Sequence, residues 1–132
     1  MGRMSRQKGK AGERECAAEV TPLFGPARRG VQYAGGPESP DVHLSDSDLH
    51  IEVKRVERPS LWAWVTQARR DAAGRPWCIY TRKNREEPLL IIPLAHMVEV
   101  ARQVVLHNGM GEYAEHQHDP VADGWVGKDG AP

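Results

Sequence analysis

The sequence predicts an α/β fold, a mixed β-sheet of about five strands flanked by helices, on three kinds of pattern. Apolar residues recur at helical spacing over residues 8–20 and 60–73, and again in LAHMVEVARQVVL near the C-terminal end. Short apolar or alternating runs fill 28–33, 41–44, 49–56, 77–81 and 89–92, with turn residues between them. The order is therefore helix, three strands, helix, two strands, helix.

The first helix spans about Lys8 to Val20, with Pro22 and Gly25 ending it. At about 100° per residue, Gly9, Glu13, Cys16, Ala17, Val20 and Phe24 share a stripe, and Glu15 and Glu19 fall on the other side. Glu13 is thus a carboxylate on the inward face, where an ionised group is costly unless it is paired or bound to a metal. It is a site candidate, with a first-turn residue favoured by the helix dipole as the alternative. Glu15 reads as solvated.

A strand over Arg28 to Tyr33 and the loop AGGPESP follow, and then two strands around the polar turn SDSD. The second helix starts with Ser60 as N-cap, runs to about Ala73 and stops at Gly74. Leu61, Trp64, Val65, Ala68 and Ala72 form its core stripe, with Gln67 on the edge. WCIYT and LLII are strands joined by the charged loop RKNREEP, and Pro93 opens the last helix. Residues 1–107 read as a single domain with a basic segment at 1–7; residues 108–132 are polar and acidic and are expected to form a loosely ordered tail.

At 132 residues, 39% hydrophobic and 27% charged, the chain suits one core in one globular domain, not a fibrous or disordered polymer. No apolar run approaches the roughly 18 residues a bilayer crossing needs, and MGRMSRQKGK lacks a signal-peptide core, so the expected location is the cytoplasm, with no membrane partner. Cys16 and Cys78 lack metal-ligand spacing and read as reduced, buried thiols. The net charge of zero hides an asymmetry: residues 1–33 hold seven Lys/Arg against three glutamates, and residues 112–132 hold five acids against Lys128. The basic N-terminal third suits a polyanion; a solvated charged face is the plain alternative.

The stretch PDVHLSDSDLHIEVK carries the chemistry. If SDSD closes a hairpin with Leu44 facing Leu49, the antiparallel ladder sets His43 against His50 and Asp41 against Glu52. Cross-strand neighbours have Cβ atoms roughly 4.5–5.5 Å apart, close enough for two carboxylates to share a divalent cation. Alternation puts Lys54 on the face of His50 and Glu52, with Val42, Ile51 and Val53 pointing the other way. Two counter-charges are open: a bound metal, or Lys54 alone in a structural ion pair. All-oxygen ligation suits Mg²⁺ or Mn²⁺, and such sites bind substrate phosphates. The chemistry this favours is phosphodiester hydrolysis, with Lys54 placing the attacking water or stabilising the transition state, and the basic N-terminal third attracting the phosphate backbone.

These residues resemble a known family. PD at 40–41 followed by IEVK at 51–54 resembles the PD-(D/E)xK nuclease motif, and KGKAGERE at 8–15 resembles the first-helix signature of archaeal-type Holliday junction resolvases and their phage relatives. The resemblance covers about residues 8–93 and implies a restriction-endonuclease-like core, cleavage of branched DNA, Mg²⁺ (with Mn²⁺ substituting) and a homodimer; a phage-encoded chain would work in the host cytoplasm. It also implies roles: Asp41 and Glu52 as the metal-binding pair with the Val53 carbonyl, Glu13 holding metal through water, Lys54 as the catalytic lysine and Gln67 as the glutamine of the following helix. Lys8, Lys10, Arg14, Arg28, Arg29 and Arg55 are the expected nucleic-acid contacts, with Arg28 and Arg29 competing for the arginine that precedes the motif. The loop RRGVQYAGGPES is longer than the resolvases' small-residue loop, and the acidic tail has no counterpart among them. A repair or restriction-like nuclease acting on flaps, nicks or linear duplex, or a DNA-binding module without catalysis, are the other readings.

Overall fold

The computed structural model describes residues 2–30 and 41–109, with side chains from Gly9 onward. Helix α1 (Gly2–Phe24) is followed by β1 (Ala27–Arg29), β2 (Val42–Leu44) and β3 (His50–Lys54), then α2 (Leu61–Ala72), β4 (Trp77–Thr81), β5 (Leu89–Ile91), a 3₁₀ turn (Leu94–His96) and α3 (Met97–Asn108). The five strands form one sheet in the order β1-β2-β3-β4-β5. It is mixed: β3 and β4 run parallel across the α2 crossover, and the other neighbours are antiparallel. This is the α/β architecture that the sequence predicts.

Strand alternation divides the core in two. Ile51, Cys78 and Tyr80 pack with Val42, Leu44 and the Cys16, Val20 and Phe24 stripe of α1, and α3 adds Val100 to this side. Trp77 and Ile79 point the other way, against Trp64, Val65, Ala68 and Ala72 of α2. Both cysteines are free and buried, and burial raises their thiol pKa values, Cys78 to about 12. No helix among the described residues is long and apolar enough to cross a membrane.

Several boundaries differ from expectation. α1 begins at Gly2, because a helix already nucleated extends by backbone bonding alone and the glycine-containing basic start has no apolar period to announce it. At its other end α1 overruns Pro22 to Phe24, which is 1% exposed, so core burial holds a turn that proline disfavours. Gly25, at φ +99°, then ends it. α3 satisfies carbonyls of that last turn: Gln103 Nε2 donates to Phe24 O at 2.7 Å, and Asn108 Nδ2 to Leu23 O at 2.9 Å. The segment after Pro93 opens as a 3₁₀ turn because His96 is tied to β4, its Nδ1 accepting from Trp77 N at 3.2 Å. Helix α3 extends to Asn108, one residue into the expected tail; the rest of that tail, and the strand expected over 31–33, lie outside the described residues.

Candidate active site

The hairpin expected around SDSD forms, with Val42 paired to Ile51 as the expected ladder requires. Asp41 lies just outside that ladder, in a bend before β2, so it neighbours Glu52 without being its cross-strand partner. Asp41, immediately before β2, is held by its backbone, with its N–H donating to Ile51 O at 3.1 Å and its carbonyl accepting from Gly30 N at 2.9 Å. Its side chain is held too, Oδ2 accepting from Val53 N at 2.8 Å. Burial first, and the Glu52 carboxylate second, push the Asp41 carboxyl up to about 7; the Val53 N–H pulls it down, Glu13 adds to the rise and Lys54 opposes it. The protein thus packs negative charge around Asp41 that its own donors only partly offset.

Lys54 ends β3 on the face turned to α2, and its Nζ donates to Gln67 Oε1 at 2.5 Å. Gln67, half-buried on the edge of the α2 stripe, is thereby a direct partner of Lys54 and not a free surface amide. Glu13 is half-buried on α1, where the Arg29 Nε donates to its Oε1 at 2.7 Å. Arg29 lies in register with Val42, on the α1 side of the sheet, whereas Arg28 lies in register with His43 and is exposed. Of the two competing arginines, Arg28 is the one available to a ligand and Arg29 the one that neutralises Glu13. A cleft of about 610 Å³ is lined by Glu13, Val53, Lys54 and Arg55, with Gly9 and Arg58 on its wall. Lys10 and Arg14 are exposed on α1; the Lys8 side chain lies outside the described residues.

Gly12 explains how α1 comes so close. A Cβ there would sit 2.7 Å from the Arg55 Cβ, a contact that backbone-proximal atoms cannot evade, so the helix can lie against the end of β3 only with glycine at this position. Glu13 is the next residue.

Glu15 is not the solvated residue that helix phase suggests. Its Oε1 accepts from the Tyr80 hydroxyl at 3.1 Å and lies 3.3 Å from Arg55 Nε, and its Oε2 accepts from Arg82 Nη1 at 3.3 Å. Arg55 also reaches Arg82 O and lies 3.7 Å from Glu57. This expected nucleic-acid contact is therefore a tie between α1, β3 and β4. Sequence reading also left His50 without a role. It is fully buried and bonds Glu52 Oε1 through Nε2 at 2.8 Å, and its other nitrogen, Nδ1, faces Arg75 Nη2 at 3.3 Å. Its place two residues before Glu52 on the same strand face was the available signal.

No family model, no curated protein and no solved structure matches this chain. What it can do therefore rests on its geometry. Among the described residues no three His, Cys, Asp and Glu side chains converge tightly enough to enclose a metal by themselves. Asp41 and Glu52 as neighbouring carboxylates suit a cation that keeps most of its waters, which is how Mg²⁺ is held at phosphate-binding sites. Their fit to such an ion lies in the raised Asp41 carboxyl: a divalent charge there would relieve the repulsion that Lys54 and the Val53 N–H leave. Glu13, paired with Arg29, fits a water-mediated contact better than direct ligation.

Proposed function

We propose that this chain is a divalent-metal-dependent endonuclease of the PD-(D/E)xK type that cuts branched DNA, with the Holliday junction as substrate and a homodimer as the working unit. The observation that carries this reading is the pair of neighbouring carboxylates Asp41 and Glu52, with the Asp41 carboxyl raised to about 7, beside a lysine held by Gln67. Support also comes from the element order, since a helix bearing Glu13, a three-strand meander bearing Asp41 and Glu52, and a crossover helix bearing Gln67 agree with the resemblance of the motifs.

Bound Mg²⁺ or Mn²⁺ supplies an acidified water and neutralises charge on the scissile phosphate. Asp41, Glu52 and the Val53 carbonyl would hold it. Lys54 offers its ammonium to the attacking water or to a phosphate oxygen, and Gln67 restrains the long lysine stem so that less freedom is lost when substrate arrives. Glu13, tied to Arg29, orders water in the cleft that Lys54 also lines. The exposed cations Lys10, Arg14, Arg28 and Arg58 give the DNA backbone its counter-charge. Two copies follow from the two-fold symmetry of a four-way junction, which presents two equivalent strands to cut. We propose the cytoplasm as the protein's place of action.

The test is to incubate the purified chain with labelled four-way junction, flap and linear duplex in Mg²⁺ and map the products. Paired symmetric cuts in the junction, with little cutting of the others, are expected. Equal cutting of all three would reassign the substrate to DNA in general, and binding without any cutting in Mg²⁺ or Mn²⁺ would make the chain a DNA-binding module.

A further inference from the structure

We propose that His50, braced by Arg75, is a positioning residue that fixes the Glu52 carboxylate in the orientation in which it binds a divalent cation. This rests on the nuclease reading of the same site. Glu52 is 2% exposed and His50 fully buried, so neither is oriented by water. Among the described residues the one hydrogen bond to the Glu52 side chain is from His50, Nε2 to Oε1 at 2.8 Å. The direction of that bond is set from behind. A guanidinium only donates, so Arg75 Nη2, 3.3 Å from Nδ1, makes Nδ1 the acceptor and leaves the ring hydrogen on Nε2, aimed at Glu52. With Oε1 held, Oε2 is the oxygen left to a cation.

Arg75 is itself anchored. Its Nε donates to Ala72 O at 2.8 Å and its Nη2 to Asp71 O at 3.2 Å, both at the C-terminal end of α2. Helix α2 therefore reaches two motif residues of β3 by separate routes: Lys54 through Gln67, and Glu52 through Arg75 and His50. A ring that merely filled space would need no such directed chain, and an apolar residue would serve as well.

Metal ligands held by an outer partner typically lose ~10- to 100-fold in metal affinity when that partner is removed. The experiment measures Mn²⁺ affinity by calorimetry in the full chain without DNA, together with the Mg²⁺ dependence of junction cutting. His50→Leu removes the donor at similar volume. His50→Gln keeps an amide donor near the position of Nε2. Arg75→Met cuts the brace behind the ring. The expected results are a ~10- to 100-fold weaker Mn²⁺ site in His50→Leu, a smaller loss of the same kind in Arg75→Met, partial rescue in His50→Gln, and cutting restored by raised Mg²⁺. If the leucine variant does not fold, the other two carry the comparison. Unchanged Mn²⁺ affinity in folded variants, with only thermal stability lowered, would overturn the positioning role and leave the nuclease reading standing. A wild-type chain that binds no Mn²⁺ and cuts no DNA would overturn both.

Discussion

Two acidic centres lie near one end of the sheet, and they are built oppositely. Glu15 is enclosed by the Tyr80 hydroxyl and the guanidiniums of Arg55 and Arg82, so one carboxylate meets two cations. Asp41 and Glu52 are two carboxylates whose direct partners are one backbone N–H and one imidazole, while the nearby Lys54 is engaged by Gln67. The first centre is electrically closed and joins α1 to β3 and β4. The second is left short of positive charge, which stabilises nothing in the protein alone. The first centre has its counter-ions built in, and the second is the one at which we place the proposed cation.

Removing an acid from each centre should therefore act on different properties. The largest effect expected is in Asp41→Asn: cleavage falls by about 10³-fold or more, the loss of several kcal/mol of transition-state stabilisation. Junction binding in Ca²⁺ survives, and thermal stability at pH 8 without metal is unchanged or higher, because the asparagine still accepts from Val53 N and carries no charge. A marked fall in stability would place Asp41 with Glu15 as a structural acid.

Next is the pH response of the unsubstituted chain. The folded Asp41 carboxyl titrates at about 7 and the unfolded one near its ordinary value, so between these the folded state holds the extra proton and stability falls as pH rises. Mg²⁺ competes with that proton, and its protection should grow from pH 6 to 8, reaching about 2.7 kcal/mol at a hundredfold excess over Kd. Scanning fluorimetry across that range, with and without Mg²⁺, measures both slopes; protection independent of pH would break the link to Asp41. Glu15→Gln leaves two arginines short of their carboxylate and should cost about 1–2 kcal/mol in denaturant unfolding, with cutting at low temperature nearly intact. Smallest is Gly12→Ala: helix propensity returns about 1 kcal/mol, but the added Cβ meets Arg55, so a net loss of about 1 kcal/mol is expected with a several-fold drop in cutting as Glu13 is displaced.

The Val42 and Ile51 register was legible because both terms that fix it are local, a four-residue turn and the two-residue alternation of strands; the bend that takes Asp41 out of the ladder was not. Gln67 could be tied to Lys54 only by resemblance, since 13 residues and a loop separate them. Glu15 was misread for a physical reason. Helix phase reports which side faces the main core, but Arg55, Arg82 and Tyr80 come from distant strands and reach around that boundary. The same limit hid His50, whose face was known and whose partners were not. The helical start at Gly2 escaped because backbone bonding alone extends it, with no side-chain period to read.

The parallel pairing of β3 with β4 has a consequence for how the chain comes to life. Antiparallel hairpins close locally, but a parallel pair must wait for the whole crossover to collapse, and such distant contacts are late in folding. His50 sits opposite Trp77 and Glu52 opposite Ile79 in that pair, and the helix restraining Lys54 is the crossover itself. A chain in which only β2 and β3 had paired would have neither the brace behind Glu52 nor the restraint on Lys54. On the nuclease proposal, the site would be complete only once β4 has docked on β3.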